Sequence, residues 1–234
     1  MTRRIRRFLR NCVDAILDFV YPPLCISCGR LLDSGREHVC PDCWSAIKPA
    51  TRDLPLFLET RNRLLAEGVI DELVSLFVFE KEGPFQKIVH SLKYSGIQPL
   101  GIELGRRLGA VIQERGFQAD ALVPVPLHKR KFRERGYNQS LLIARGISEV
   151  LGTPLRAELV RRSRWTQTQT TLSKEERQKN VENAFECDGT RLGGICVIVV
   201  DDVITTGATV EAVAHVLKSS GARLVVAASA ALAE

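Results

Sequence analysis

No apolar run in the chain approaches the length of a membrane span, so no transmembrane helix is expected. A secretory signal is missing as well, because Asp14 and Asp18 interrupt any apolar core near the N-terminus. Without an export signal the expected compartment is the cytoplasm, where paired thiols more often hold metal than form disulfides. A general excess of basic charge is also lacking. The formal net charge is +6, yet Arg3 to Arg10 carry +5, Lys129 to Arg135 carry +4 and Arg156 to Arg164 carry +3; these +12 leave the remainder of the chain at −6. Local clusters of this kind suit anion sites better than a general nucleic-acid coat. Strong periodicity is absent between Lys48 and Gly68, and glycine is absent from the polar run Arg161 to Asn183.

What is present is ordinary in bulk. Hydrophobic residues make up 45% and charged residues 26% of 234 positions, with room for one full α/β domain plus something small. The informative stretch is Val197 to Val210, Val-Ile-Val-Val-Asp-Asp-Val-Ile-Thr-Thr-Gly-Ala-Thr-Val. Its first four residues read as a strand buried on both faces, and a helix pattern of Val210, Val213, Ala214 and Leu217 follows the turn. Asp201 and Asp202 then fall at the carboxyl end of a parallel strand, where open α/β sheets bind ligands. The turn containing Thr205, Thr206, Gly207, Ala208 and Thr209 offers backbone N–H groups and hydroxyls at a helix N-terminus, which suits a phosphate. Two carboxylates beside a phosphate need donors of their own; the vicinal hydroxyls of a ribose supply them, with Mg²⁺ nearby. The plain alternative is an Asp-rich turn and a Thr-capped helix, for which a single cap would have sufficed.

Taken in order, residues 3–20 carry apolar side chains from Ile5 to Val20 in steps of three and one, an amphipathic helix ended by Tyr21-Pro22-Pro23. Its arginines allow a peripheral contact with an anionic membrane surface, while its apolar stripe suits packing on the next module or a partner protein. Cys25, Cys28, Cys40 and Cys43 form two thiolate knuckles around a turn at Asp33-Ser34-Gly35. Four thiolates give the closed tetrahedral site of structural Zn²⁺; free thiols or a redox pair are the alternatives. His38 is surplus to that set and reads as a surface residue. Ribbon and main domain are each expected to have a core of their own. Residues 49–69 read as a linker, with a short helix before Gly68. A strand over 71–80, helices over 84–94 and 99–115, a short strand from Ala121 and a final parallel strand from Leu224 to Ala230 complete the α/β pattern.

Between them, His128 to Asn138 reads as a basic loop opening from Val125 and Pro126, with Arg130, Arg133 and Arg135 among its cations. Guanidinium forks at a strand end beside a ribose-phosphate cradle suit a pyrophosphate; a solvated basic face or a nucleic-acid patch is the alternative. The polar run Arg161 to Asn183 reads as a lid, helical in its second half from the Ser173-x-x-Glu176 capping box.

From about residue 19 to the end, the chain resembles the ComF/GntX-like family. The residues that carry the resemblance are the four cysteines; Leu92-Lys93-Tyr94 with Gly96; Val123 to Pro126; Arg135-Gly136-Tyr137-Asn138-Gln139; Gln169, Arg177 and Asn180; and Val197 to Thr209. It implies an α/β fold, a type I phosphoribosyltransferase-like open, mainly parallel sheet flanked by helices, with a small N-terminal zinc ribbon. The segments would be a helix over 1–20, the ribbon over 21–48, the linker over 49–69 and the transferase-like domain over 70–234. It further implies phosphoribosyl pyrophosphate (PRPP) with Mg²⁺ as ligand. Asp201 and Asp202 would be catalytic, Thr205 to Thr209 would hold the 5′-phosphate, and Val125, Pro126 and the following cations would meet the pyrophosphate. Transfer of phosphoribose to a nitrogen acceptor is the implied reaction. A PRPP-sensing module, or a competence adaptor that contacts single-stranded DNA or a protein of the DNA-uptake machinery, is the alternative. No acceptor pocket is legible, because the zinc module stands where a base-recognising hood usually lies.

Overall fold

An apolar strand with no polar face must lie inside a sheet covered on both sides. That is where Cys196–Ile204 lies, as β5 of a computed structural model that describes residues 22–32, 38–162, 184–188 and 191–233. The expected N-terminal helix with Cys12, the turn at Asp33-Ser34-Gly35, and the lid from residue 163 to Asn183 with its capping box all fall outside the described residues.

Four parallel strands run in the order β1-β6-β5-β2, with β1 Glu72–Val78, β2 Ala121–Pro124 and β6 Leu224–Leu232. Alternation along β5 feeds two cores. Val197 and Val199 face Phe57, Leu64, Val213 and Leu217, whereas Ile198 and Val200 face Leu104, Ile143 and Ile147. The first set comes from helices α2 (Pro55–Ala66) and α7 (Ala208–Ser219), and the second from α4 (Gln98–Glu114) and α6 (Gln139–Leu151). Helix α3 (Pro84–Tyr94) adds Phe85, Ile88 and Leu92 to the second core. Strands β3 (Val160–Arg162) and β4 (Phe185–Cys187) pair antiparallel outside the main sheet, so the first two residues of the expected lid belong to a ribbon of regular structure.

Helices α4 and α6 meet at glycines. A Cβ on Gly105 would stand 2.0 Å from the Ile143 carbonyl oxygen, and one on Gly146 would stand 2.1 Å from that of Ile102. Gly146→Ala must therefore drive the two backbones apart. The cost of such overpacking is about 1–3 kcal/mol or more, and the melting temperature should fall by roughly 2–12 °C. An unchanged thermal melt would show that this crossing tolerates separation.

Three expectations change. The stretch 49–69 holds the expected helix before Gly68 but is more than a linker: Ala50 N–H donates to the Leu76 carbonyl at 2.9 Å and Val78 N–H to that of Lys48 at 2.9 Å, which pairs residues 48–50 with β1. The α2 that follows runs twelve residues and buries Phe57, Thr60 and Leu64. The basic loop is a two-turn helix, α5 (Lys129–Arg135), with the His128 side chain accepting from Arg130 N–H at its start and Gly136 at φ 79° closing it. The zinc ribbon shares its core with the main domain. Cys25, Val39, Trp44 and Ile47 belong to the same apolar cluster as Leu76 and Phe85. Helix α1 (Pro41–Ser45) starts at the second knuckle and turns Trp44 onto Phe77, with ring centroids 5.8 Å apart and 18° between planes. The Trp44 indole N–H donates to Glu103 Oε1 at 3.0 Å, and the Arg107 guanidinium lies 4.0 Å from its ring.

Candidate functional site

The four cysteine sulfurs lie within 4.8 Å of one another. Four soft donors in that volume fit one tetrahedral Zn²⁺ and leave no open position. Burial alone would raise the Cys25 thiol, but backbone N–H groups of Cys40, Cys28 and Ser27 aimed at its sulfur outweigh it and bring it to about 6. Burial pushes Cys43 up to about 12. A bound cation would ionise both.

The second site lies at the carboxyl edge of the sheet. β5 runs three residues past Asp201, to Ile204, so the acidic pair sits on the strand rather than beyond it. Asp201 Oδ1 accepts from Ser140 Oγ at 3.0 Å and from Asp202 N–H at 2.8 Å. Asp202 Oδ1 accepts from Val203 N–H at 2.8 Å, while its Oδ2 pairs with Lys93 Nζ at 2.8 Å. Burial, then the neighbouring Asp202 charge, push the Asp201 carboxyl up to about 7. One acid therefore titrates near neutrality beside another held by a cation.

Val203 to Val210 continue into a cradle of about 30 Å³, lined by Thr205, Thr206, Gly207, Ala208 and Thr209 together with Asp201. Gly207 stands at φ 82°, and a Cβ there would meet Leu64 Cδ2 of α2 at 2.3 Å. Only glycine lets the turn lie this close on that helix. The cradle opens at the N-terminus of α7, whose first N–H groups have no intrahelical acceptor.

The basic residues divide. Arg130 Nε pairs with Glu134 at 3.0 Å on the exposed side of α5. Arg135 donates to Gln139 Oε1 at 3.0 Å and lies 5.4 Å over the Tyr94 ring. Arg133 is exposed. Lys131 is exposed as a residue; partial desolvation, then Arg135, Lys93 and Arg162, lower its pKa, and Asp202 opposes them. Val125 is buried, its N–H donates to the Val200 carbonyl at 2.9 Å, and its own carbonyl accepts from Asn138 Nδ2 at 2.9 Å. Pro126 has no N–H, so neither residue brings a backbone donor to a pyrophosphate. Lys93 and Ser140 join the expected residues. In the sequence Lys93 stands only as part of the Leu92-Lys93-Tyr94 motif; nothing in the periodicity of α3 points it across the sheet edge. Among the described residues the cysteines form the one cluster of three or more metal-ligating side chains, so the acidic pair is not a ready-made cation cage.

Several known proteins are similar to this chain. The double zinc ribbon domain family matches residues 16–54. The DNA utilization protein YhgH of Escherichia coli strain K12 is 36% identical over 207 residues, covering 86% of this chain and 87% of that protein. Competence protein F of Haemophilus influenzae is 28% identical over 211 residues, covering 84% of this chain and 91% of that one. A solved structure of glutamine PRPP amidotransferase from B. subtilis, complexed with ADP and GMP, is 24% identical with a TM-score of 0.38. It overlaps 59% of this chain, which spans only 26% of that one. No helix among the described residues is long and apolar enough to cross a membrane. An α/β domain of parallel strands behind a four-cysteine zinc ribbon, with a relative this similar along most of both lengths, places the chain in the ComF/GntX-like family.

Proposed function

We propose that the chain binds PRPP with Mg²⁺ at the carboxyl edge of its sheet and transfers phosphoribose to a nitrogen acceptor in the cytoplasm, releasing pyrophosphate. The observation that carries this reading is the continuity of cradle and acidic pair: residues 201–209 run from the strand end straight into the turn, which would set N–H groups for a phosphate beside carboxylates for a diol. Asp201 and Asp202 accept from the ribose hydroxyls and steady the positive charge that develops at C1 as pyrophosphate leaves. Thr205 to Thr209 hold the 5′-phosphate. Lys93, paired with Asp202, would meet the departing pyrophosphate, and Arg133 and Arg135 of α5 would add positive charge to it. Mg²⁺ bound with the ligand would neutralise pyrophosphate charge.

A second reading has an observation of its own. Phe132 is 49% and Tyr94 65% exposed, set among Arg130, Arg133 and Arg135. Aromatic faces between cations suit single-stranded nucleic acid, and the relatives' names refer to DNA utilization and competence. On that reading PRPP regulates a DNA-handling adaptor without being consumed. Calorimetric titration with PRPP and Mg²⁺, followed by an assay of pyrophosphate release with candidate amine and base acceptors, separates the two. Binding with release establishes transfer. Binding without release, with retention of oligothymidine, supports the adaptor. Absence of PRPP binding overturns both.

A further inference from the structure

Helix α2 has no part in any recognised motif, yet one of its side chains ends on the phosphate cradle. Arg63 Nη2 donates to the Thr205 carbonyl oxygen at 2.9 Å. Arg63 does not line the cradle, which is built from Asp201 and residues 203–210 alone. Its Nε is buried without a hydrogen-bond partner, and its charge reaches the half-buried Glu211 carboxyl in the first turn of α7. The next residue of α2, Leu64, is fully buried and occupies the space a Gly207 side chain would need. Two consecutive residues of α2 thus hold the outer side of the turn, one through its carbonyl and one through packing.

A peptide unit is planar, and in the trans form its N–H points opposite its C=O. No cis bond occurs among the described residues. A hydrogen bond that holds the Thr205 carbonyl outward, towards α2, therefore aims the Thr206 N–H inward, into the cradle. That plane turns through ψ of Thr205 and φ of Thr206, so a fixed donor on the Thr205 carbonyl sets which way the Thr206 N–H points. We infer that Arg63 is a positioning residue for a phosphomonoester: it orients the Thr205–Thr206 peptide so that an N–H donor is set for the 5′-phosphate before the ligand arrives. The inference rests on the assignment of the cradle to a 5′-phosphate.

Arg63→Met removes the donor while keeping most of the apolar stem, and Arg63→Lys keeps a cationic donor. Calorimetry with three probes tests them: PRPP with Mg²⁺, ribose 5-phosphate, and pyrophosphate with Mg²⁺. Arg63→Met should weaken PRPP and ribose 5-phosphate roughly tenfold, the loss of about one oriented hydrogen bond, and leave pyrophosphate unchanged. Arg63→Lys should recover most of the loss. A structural effect would weaken all three probes together, and that result overturns the inference, as does ribose 5-phosphate affinity unaltered in Arg63→Met. If Arg63→Met does not fold, Arg63→Lys alone decides against wild type: a selective change in ribose 5-phosphate of up to threefold with pyrophosphate constant agrees, and a larger or uniform loss does not. Failure of the wild-type protein to bind either phosphorylated sugar overturns the cradle assignment itself, a distinct result from a variant without effect.

Discussion

Removal of zinc, by chelation or by Cys28→Ser, should lower the melting temperature of the entire chain by about 10 °C or more, in a single transition. The expectation from sequence was a ribbon that unfolds alone. The structure leaves no such independence, because Trp44 lies between the second knuckle and the sheet, stacked on Phe77 and bonded to Glu103. Four unligated thiols cannot hold Cys40 and Cys43 at the start of α1, and with that turn lost, Trp44 leaves its place. Loss of a buried tryptophan from a core typically costs about 3–5 kcal/mol. Lys87 donating to the Ser27 carbonyl at 2.8 Å adds a second tie between ribbon and α3. Calorimetric melting with and without chelator checks this. Two separated transitions, the upper one at the melting temperature of the zinc-loaded chain, would restore the picture of independent cores.

What could be read from sequence and what could not follow from the range of the forces involved. β5 and its turn were legible because each residue's role is local: an apolar run, two acids, a glycine and a helix pattern lie within twenty-one positions, Val197 to Leu217. The knuckles were legible because spacing alone dictates tetrahedral thiolates. Helix α2 was legible only as a short helix before Gly68, since only Phe57, Thr60 and Leu64 are fully buried in it and Leu56, Leu58 and Leu65 blur the stripe. So narrow a stripe gives weak periodicity. The helix α5 was hidden by its charge, though Gly136 directly after Arg135 is a helix-stop signal that could have revealed it. Lys93 and Arg63 lay beyond reach for another reason. Their partners, Asp202 and Thr205, come from a strand and a turn far along the chain, and no local pattern encodes a contact across the sheet edge.

That same Lys93 alters what the acidic pair should do when changed. Asp201→Asn and Asp202→Asn should each weaken PRPP binding by about 1.5–3 kcal/mol, the range for hydrogen bonds to a charged group, or roughly ten- to a hundredfold in Kd. Their effects on stability should differ. A carboxyl whose folded pKa stands above its unfolded value contributes stability in acid and loses it as pH rises through the folded value. Asp201, raised by burial and by Asp202 to about 7, is such a group. Asp201→Asn removes that loss, so its melting temperature relative to wild type should climb between pH 5 and pH 8. Asp202→Asn instead leaves the Lys93 ammonium, 22% exposed, without its carboxylate, and should destabilise at both pH values. Adding Lys93→Met to Asp202→Asn should return part of that stability and none of the PRPP affinity. Melting temperatures at the two pH values, set beside calorimetric Kd values for the same variants, separate a ligand site from an acidic turn of the scaffold. An acidic turn would show the stability changes with no affinity to lose, and unaltered PRPP affinity in both single variants would remove Asp201 and Asp202 from the site.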